Sequence, residues 1–369
     1  MNNRIRITSL DALRGITLAL MILVNNPGDW GNIYYPLQHA DWNGCSFADL
    51  VFPFFIFTMG VSFTISTSQR LMSQTRNKLL LHIFYRSVIL FLLGLFLNAL
   101  PDLDLSSIRI LGVLQRLAIV YLLSSVLYLY TKPKQLFNLL LLFLIGYWFL
   151  FTQVNVPDLG FPSLEKEKNI AAYIDRLVLK NHLWKHSKTW DPEGIVTTFG
   201  AVCTMIIGMF IGSILLDQKT DNTAHSYRLL FLSIWGMVCI ISGMLWDSYF
   251  PINKNLWTSS YVLFTAGLAM ICFACFYFLM EVKQLSFVGS PFEIYGTNSL
   301  AVFFFSALLA KTFNIIRVGN QSLKEYLMEI LLTPYFSSYN ASLAWAVLHL
   351  LFWFLVLLFL YKKKIYIKL

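Results

Sequence analysis

His39 and Asp49, ten residues apart, are the pair in this chain best suited to acid–base chemistry. The segment before Asp49, residues 26–47, carries no Lys or Arg and holds Trp30, Tyr34, Tyr35, Trp42, Asn43 and Gly44. Histidine titrates near neutral pH, and a carboxylate partner fixes its tautomer and raises its basicity. The pair therefore has the makings of a general base with its orienting acid. A second reading makes His39 one more amphipathic ring in an interfacial belt. Spacing alone leaves both open.

Other polar residues stand where apolar ones are expected. Asp11 and Arg14 are three apart in the first apolar stretch, on one helical face. They form either an ion pair near the membrane surface or an anion site facing a cavity. Asn25 closes the same stretch, about 16 Å further along a helix, so a ligand touching both Arg14 and Asn25 is long and thin. Gln115 and Arg116 fall in the fourth stretch, Asp191-Pro192-Glu193-Gly194 precedes the sixth, Asn253-Lys254-Asn255-Leu256-Trp257 opens the eighth, and Tyr295 to Ser299 opens the ninth. Capping and turn chemistry accounts for the last three. The segments at 191 and 253 also fall on the side of His39, where they can build a polar acceptor site.

His182 and His186 have the spacing of metal ligands, but no third ligand follows, and no metal is expected. Nucleotide-binding glycine loops and a G-x-S-x-G elbow are absent from the sequence. Four of the five cysteines lie in apolar runs, including the pair Cys272 and Cys275, so no disulfide framework is implied.

The elements that position these residues follow from composition. The chain has 369 residues, 57% hydrophobic and only 13% charged, with 32 Phe and 10 Trp. Soluble domains carry about twice that charge. A span needs roughly 20 mostly apolar residues. Spans are expected near 9–25, 48–68, 81–99, 109–130, 135–152, 195–216, 228–248, 257–280, 294–313 and 341–361. The fold class is all-α, a polytopic transmembrane bundle of about ten spans in one domain over residues 1–369. The first run holds Asp11 and Arg14 and lacks a small-residue cleavage site, so it reads as a span and not as a signal peptide.

The net charge of +9 reflects topology and not nucleic-acid binding, because the basic residues sit at span ends. Arg4, Arg6, Arg70, Arg76, Lys78, Arg86, Lys132, Lys134, Lys362, Lys363, Lys364 and Lys368 all fall on one side, so both termini are expected to be cytoplasmic. Asp102 and Asp104 mark the other side. The long loop 153–194 balances six basic against six acidic residues. It is expected to fold partly as an amphipathic cap, as are residues 320–333. A bacterial cytoplasmic membrane, with lipid as the surrounding partner, is the expected location. A homodimer is compatible with this reading.

Together these segments resemble the heparan-α-glucosaminide N-acetyltransferase family of transmembrane acyltransferases. The resemblance is carried by Ser9-Leu10-Asp11-Ala12-Leu13-Arg14-Gly15, Val24-Asn25, His39-Ala40-Asp41-Trp42-Asn43-Gly44 and Ala48-Asp49-Leu50-Val51-Phe52-Pro53, with weaker matches at 112–116, 191–194 and 253–257. It implies that His39 is catalytic, that Asn25 assists it, and that acetyl-CoA supplied from the cytoplasm acetylates an amino sugar on the far side. Asp49 is then the partner of His39. Arg14, Gln115 and Arg116 become candidates for the donor, guanidinium being suited to phosphate. Trp42, Asn43, Asp191, Glu193, Asn253, Lys254 and Asn255 become candidates for the glycan. The animal lysosomal enzyme carries a further N-terminal domain and one more span, and removing that span leaves ten. Where the family has a glycine-rich stretch, this chain reads Asn26-Pro27-Gly28-Asp29, so the acceptor does not carry over. Intramembrane charges equally suit a transporter or flippase of a sugar or lipid-linked sugar, although the paired repeats of such proteins are not seen.

Overall fold

The computed structural model describes residues 7–216 and 222–367. Arg4, Arg6 and Lys368, counted above for orientation, lie outside them. The helices are α1 (Thr8–Asn25), α2 (Phe47–Leu71), α3 (Arg76–Ala99), α4 (Val113–Tyr130), α5 (Pro133–Gln153), α6 (Ile170–Leu179), α7 (Thr197–Leu215), α8 (Asn222–Asp247), α9 (Ser259–Tyr277), α10 (Ser286–Thr297), α11 (Ser299–Ile315), α12 (Leu323–Leu331) and α13 (Ser338–Lys362). A wider turn, Phe278–Val282, continues α9. The strands β1 (Arg317–Val318) and β2 (Gln321–Ser322) form a small antiparallel hairpin before α12.

Among the described residues, nine helices are long and apolar enough to cross a membrane, and α10 with α11 makes a tenth span if counted as one. The chain is an all-α, multi-pass membrane protein. The amphipathic expectations also hold, since α6 lies in the loop 153–194 and α12 in 320–333.

The ninth span differs from its expected form. Instead of one helix over 294–313, α10 and α11 meet at 69°. Asn298 at the junction is non-helical, with φ −125° and ψ 35°. A break inside a membrane frees backbone carbonyls that lipid cannot satisfy. Here Arg14 supplies the donors, its Nε and Nη2 lying 3.1 and 2.6 Å from the Gly296 carbonyl, while Nη2 also reaches Asp11 at 2.9 Å. A cation at the C-terminal end of a helix is also favoured by the helix dipole. Asp11, Arg14 and the 295–299 segment thus share one structural purpose.

The bundle has inner and outer helices. The apolar windows of α7 and α2 are 78% and 72% buried, against 17% for α8 and 22% for α13. Without a hydrophobic drive in lipid, small residues let backbones meet. A Cβ on Gly60 of α2 would stand 2.2 Å from the Met205 carbonyl, and one on Gly208 of α7 would stand 2.2 Å from that of Phe57. The α2–α7 pair is closely packed, and α2 carries Asp49 on its first turn.

Candidate active site

The site is built on the first turn of α2. Asp49 Oδ2 accepts the backbone N–H groups of Ser46 and Ala40 and the Ser46 hydroxyl, each at 3.0 Å. Oδ1 is left for His39 Nδ1 at 2.8 Å. A carboxylate only accepts, so that contact assigns the proton to Nδ1 and the lone pair to Nε2. Asp49 is 1% exposed whereas His39 is 39% exposed at its side chain, so the ring is anchored through Asp49 and stays partly exposed.

The geometry explains Pro53, four residues on from Asp49. Proline has no N–H, so its place in α2 leaves the Asp49 carbonyl without its helical partner. The Tyr261 hydroxyl donates to that carbonyl at 2.6 Å. This ties the site to α9, and Asp49 is held through both its side chain and its backbone.

A second loop, between α8 and α9, is laced to the His39 loop. Gly44 N–H donates to the Ile252 carbonyl at 2.7 Å, with Gly44 at φ +101°, a conformation that suits glycine. Buried Asn253 donates from Nδ2 to Asn43 Oδ1 at 3.2 Å and accepts from Leu256 N–H at 2.8 Å. This lacing delivers Lys254, whose Nζ lies 3.3 Å from Asp49 Oδ1 and 3.0 Å from His39 Nδ1. Since Nδ1 already donates to Asp49, the ammonium pairs with the carboxylate and also reaches His39 Nε2, at 3.4 Å. Burial pulls Lys254 below the usual ammonium range, against the opposing pull of Asp49 and Glu193.

Asp191 and Glu193 form the next shell, and both meet a residue that the sequence reading passed over. Arg109 reaches Asp191 through Nε at 2.9 Å and Nη2 at 2.5 Å, and Nη2 also donates to Glu193. Burial works against the Glu193 charge, but Arg109, Arg116 and Lys254 outweigh it and hold the carboxyl below its usual range. Two acids beside a span end call for a cation. Arg109 is a basic residue at a span end on the side that the charge pattern left acidic, which is the signal that would have found it. An aromatic wall completes this face. Trp42 stands edge-on to Trp190 at 5.3 Å and donates to the Leu164 carbonyl at 2.9 Å, and Arg109 lies 5.7 Å over Trp184. Asn43 is exposed and Asn255 half-buried beside this wall.

The expected donor residues divide between two places. Arg14 lines a cavity of about 460 Å³ with Arg70, Arg86, Gln69 and Ser66, at the end of the bundle away from His39. An adjoining cavity of about 350 Å³ shares the three arginines and adds His82 and Tyr85. Gln115 and Arg116, by contrast, lie on the first turn of α4, at the His39 end. Arg116 is fully buried, donates to Thr197 and lies 5.1 Å over the Trp257 ring. Gln115 packs against Gly94. The two therefore brace the His39 face and do not extend the Arg14 cavity. The alternation of spans puts residue 116 there, because α4 enters from the side on which α3 ended.

Asn25 stands apart from His39, and no hydrogen bond among the described residues joins them. It lines a third cavity of about 50 Å³ with Lys324 and His349. His182 Nδ1 lies 2.8 Å from the Ile108 carbonyl and His186 packs edge-on to Trp184, so both have structural work.

Comparison with known proteins agrees with the motifs. Residues 6–226 match the family model described as heparan-alpha-glucosaminide N-acetyltransferase, catalytic. Over 98% of its length the chain is 30% identical to the heparan-alpha-glucosaminide N-acetyltransferase of Homo sapiens, and equally so to that of Mus musculus. The chain spans about 60% of the length of these curated relatives.

Proposed function

The chain belongs to the heparan-alpha-glucosaminide N-acetyltransferase family, and from that premise we propose that it is a transmembrane acetyltransferase, taking acetyl from acetyl-CoA at its arginine-lined face and passing it to a glycan amine or hydroxyl at the His39 face. The observation that carries this reading is the His39–Asp49 contact of 2.8 Å, with the His39 side chain still partly exposed. It has the geometry of a general base held in one tautomer by a buried acid.

The reaction follows from the residues. The acceptor's proton passes to His39 Nε2 as its nitrogen or oxygen bonds to the thioester carbonyl carbon. The carbon–sulfur bond breaks, and the leaving thiolate takes the proton back from Nε2. Asp49 stabilises the transient imidazolium, and Lys254 keeps Asp49 ionised in a buried place. Asn25 donates to a carbonyl of the donor. An acetyl-His39 intermediate is the covalent variant of the same chemistry. Arg14, Arg70 and Arg86 hold the CoA phosphates, which favour guanidinium. Arg70 and Arg86 lie among the Lys- and Arg-rich span ends, which supports a cytoplasmic position for that face and an extra-cytoplasmic one for His39. Asp191, Glu193, Lys254 and the Trp42–Trp190 wall offer a sugar both polar partners and an aromatic face.

The experiment is acceptor-dependent thiol release from acetyl-CoA by the purified protein, with a panel of amino sugars and neutral sugars. Release that tracks an added acceptor and vanishes in His39→Ala supports the reading. Acceptor-independent or absent release across the panel removes it.

A further inference from the structure

The 50 Å³ cavity at the end of α1 has a chemistry of its own. Its polar wall includes Asn25, Lys324 and His349, and its apolar wall includes Trp30, Phe313 and Trp345. Lys324, on the first turn of α12, gives one N–H to the Pro27 carbonyl at 2.8 Å. An ammonium has three donors, so two remain. His349 stands eleven residues into α13, about 16 Å from its start, and is 6% exposed. Its Nε2 is buried without a hydrogen-bond partner among the described residues. In the neutral tautomer with the proton on Nδ1 the lone pair sits on Nε2, and an acceptor is then left unmet inside a span, where polar groups are costly.

The wall is held in place. Gly28 N–H donates to the Ser342 carbonyl and Asp29 N–H to the Ser342 hydroxyl, each at 3.0 Å. These bonds pin the chain after Asn25 onto α13, the helix that carries His349. The cavity then offers amide and ammonium donors, one imidazole acceptor, and rings that favour a methyl or methylene group. In that tautomer a carboxylate would satisfy Lys324 but would face the lone pair of Nε2. A secondary amide satisfies both, with its carbonyl on Asn25 and Lys324 and its N–H on Nε2.

We propose that this cavity is a binding subsite for a secondary amide, with Asn25 and Lys324 on its carbonyl and His349 on its N–H. The inference rests on the acetyltransferase reading for the source of that amide. The two sources are the pantetheine arm of the donor and the acetamido group of an N-acetylated product.

The test compares wild type with His349→Leu and Lys324→Met, measuring affinity for CoA, for 3′-phospho-ADP, which lacks the pantetheine arm, and for N-acetylglucosamine. A pantetheine amide predicts that both variants weaken CoA about tenfold while 3′-phospho-ADP is unchanged. An acetamido group predicts the same loss for N-acetylglucosamine with CoA unchanged. In either case His349→Gln, which retains an acceptor, restores most of the affinity. Affinities for CoA and N-acetylglucosamine within twofold of wild type in both variants overturn the proposal and leave the cavity to water. A variant that fails to fold is replaced by Phe313→Trp, whose added ring fills the space and predicts the same loss. Wild-type protein that binds CoA but releases no thiol with any acceptor sinks the acetyltransferase reading without touching the affinity comparison.

Discussion

Lys254 Nζ lies 3.3 Å from Asp49 Oδ1, close enough for the ammonium to share the carboxylate with His39. The carboxylate is buried, and a single imidazole that changes charge during turnover leaves it uncompensated for part of the cycle. Lys254→Met is therefore expected to lower kcat about tenfold with little change in the KM for acetyl-CoA, and Lys254→Arg to keep most of the rate. Burial pulls Lys254 below the ordinary ammonium range, so it loses its proton earlier than an exposed lysine as pH rises. The wild-type rate should fall on the alkaline side, and that fall should move upward in Lys254→Arg. Coincident alkaline limbs in the two proteins would remove Lys254 from the rate.

The His39–Asp49 contact makes a sharper demand. His39→Ala removes the base and should lower kcat by about three orders of magnitude while CoA affinity stays near wild type. Asp49→Asn lets the amide turn its NH₂ toward Nδ1, which favours the wrong tautomer, and should cost about two orders of magnitude. Asp49 also accepts from Ser46 and Ala40 at the start of α2, so its variant should melt earlier than His39→Ala. Steady-state kinetics beside thermal melting separates the two effects. Equal rates for Asp49→Asn and wild type would confine Asp49 to capping α2.

The donor face gives a prediction on binding. Arg86 lines both arginine cavities, lies 5.2 Å over the Tyr121 ring and has a buried Nε without a partner. Arg86→Lys keeps the charge but loses the planar fork that matches phosphate. The KM for acetyl-CoA should rise about tenfold with kcat within twofold, and dephospho-CoA should narrow the gap if the 3′-phosphate is its partner. Titration of CoA binding against salt checks this, because Arg86→Lys should leave the salt slope nearly intact. A KM unchanged in Arg86→Lys and in Arg86→Ala would place the phosphates elsewhere.

The sequence made the helices legible because lipid demands long apolar runs, and nine of the ten expected spans are single helices. The bend in the ninth was not legible because hydropathy does not register one. Asn298 breaks the helix, and its cost is met by Arg14 from a span some 280 residues away, which no local window can see. His39 and Asp49 were legible because type and spacing suffice when both partners lie within ten residues of each other. Arg109 was missed because its partners, Asp191 and Glu193, come from a different loop. Arg116 was placed with the donor by its type, although its position on the first turn of α4 assigns it to the His39 end. Asn25 was legible as a polar span end, but its neighbours Lys324 and His349 are joined to it only by the packing of α11, α12 and α13.

Asp175 provides a test of the cap over the His39 face. It lies on α6 and is 1% exposed, with Oδ1 accepting the Ile195 N–H at 2.9 Å. Burial pushes its carboxyl up to about 6, from an ordinary value of 3.8. The folded protein thus binds a proton between those two values that the unfolded chain does not. Stability from this group is fully present below pH 3.8, is lost as pH rises towards about 6, and stays lost above it. The cost of keeping Asp175 charged at neutral pH is of order 3 kcal/mol. Asp175→Asn removes the titration and can still accept from Ile195 N–H. The difference in melting temperature, variant minus wild type, should therefore grow between pH 4 and about 6.5 and then level off. Differential scanning fluorimetry of both proteins across that range measures it. A difference that is flat with pH would mean that Asp175 carries its charge at no cost, and that α6 is held against Ile195 by something other than this buried carboxyl.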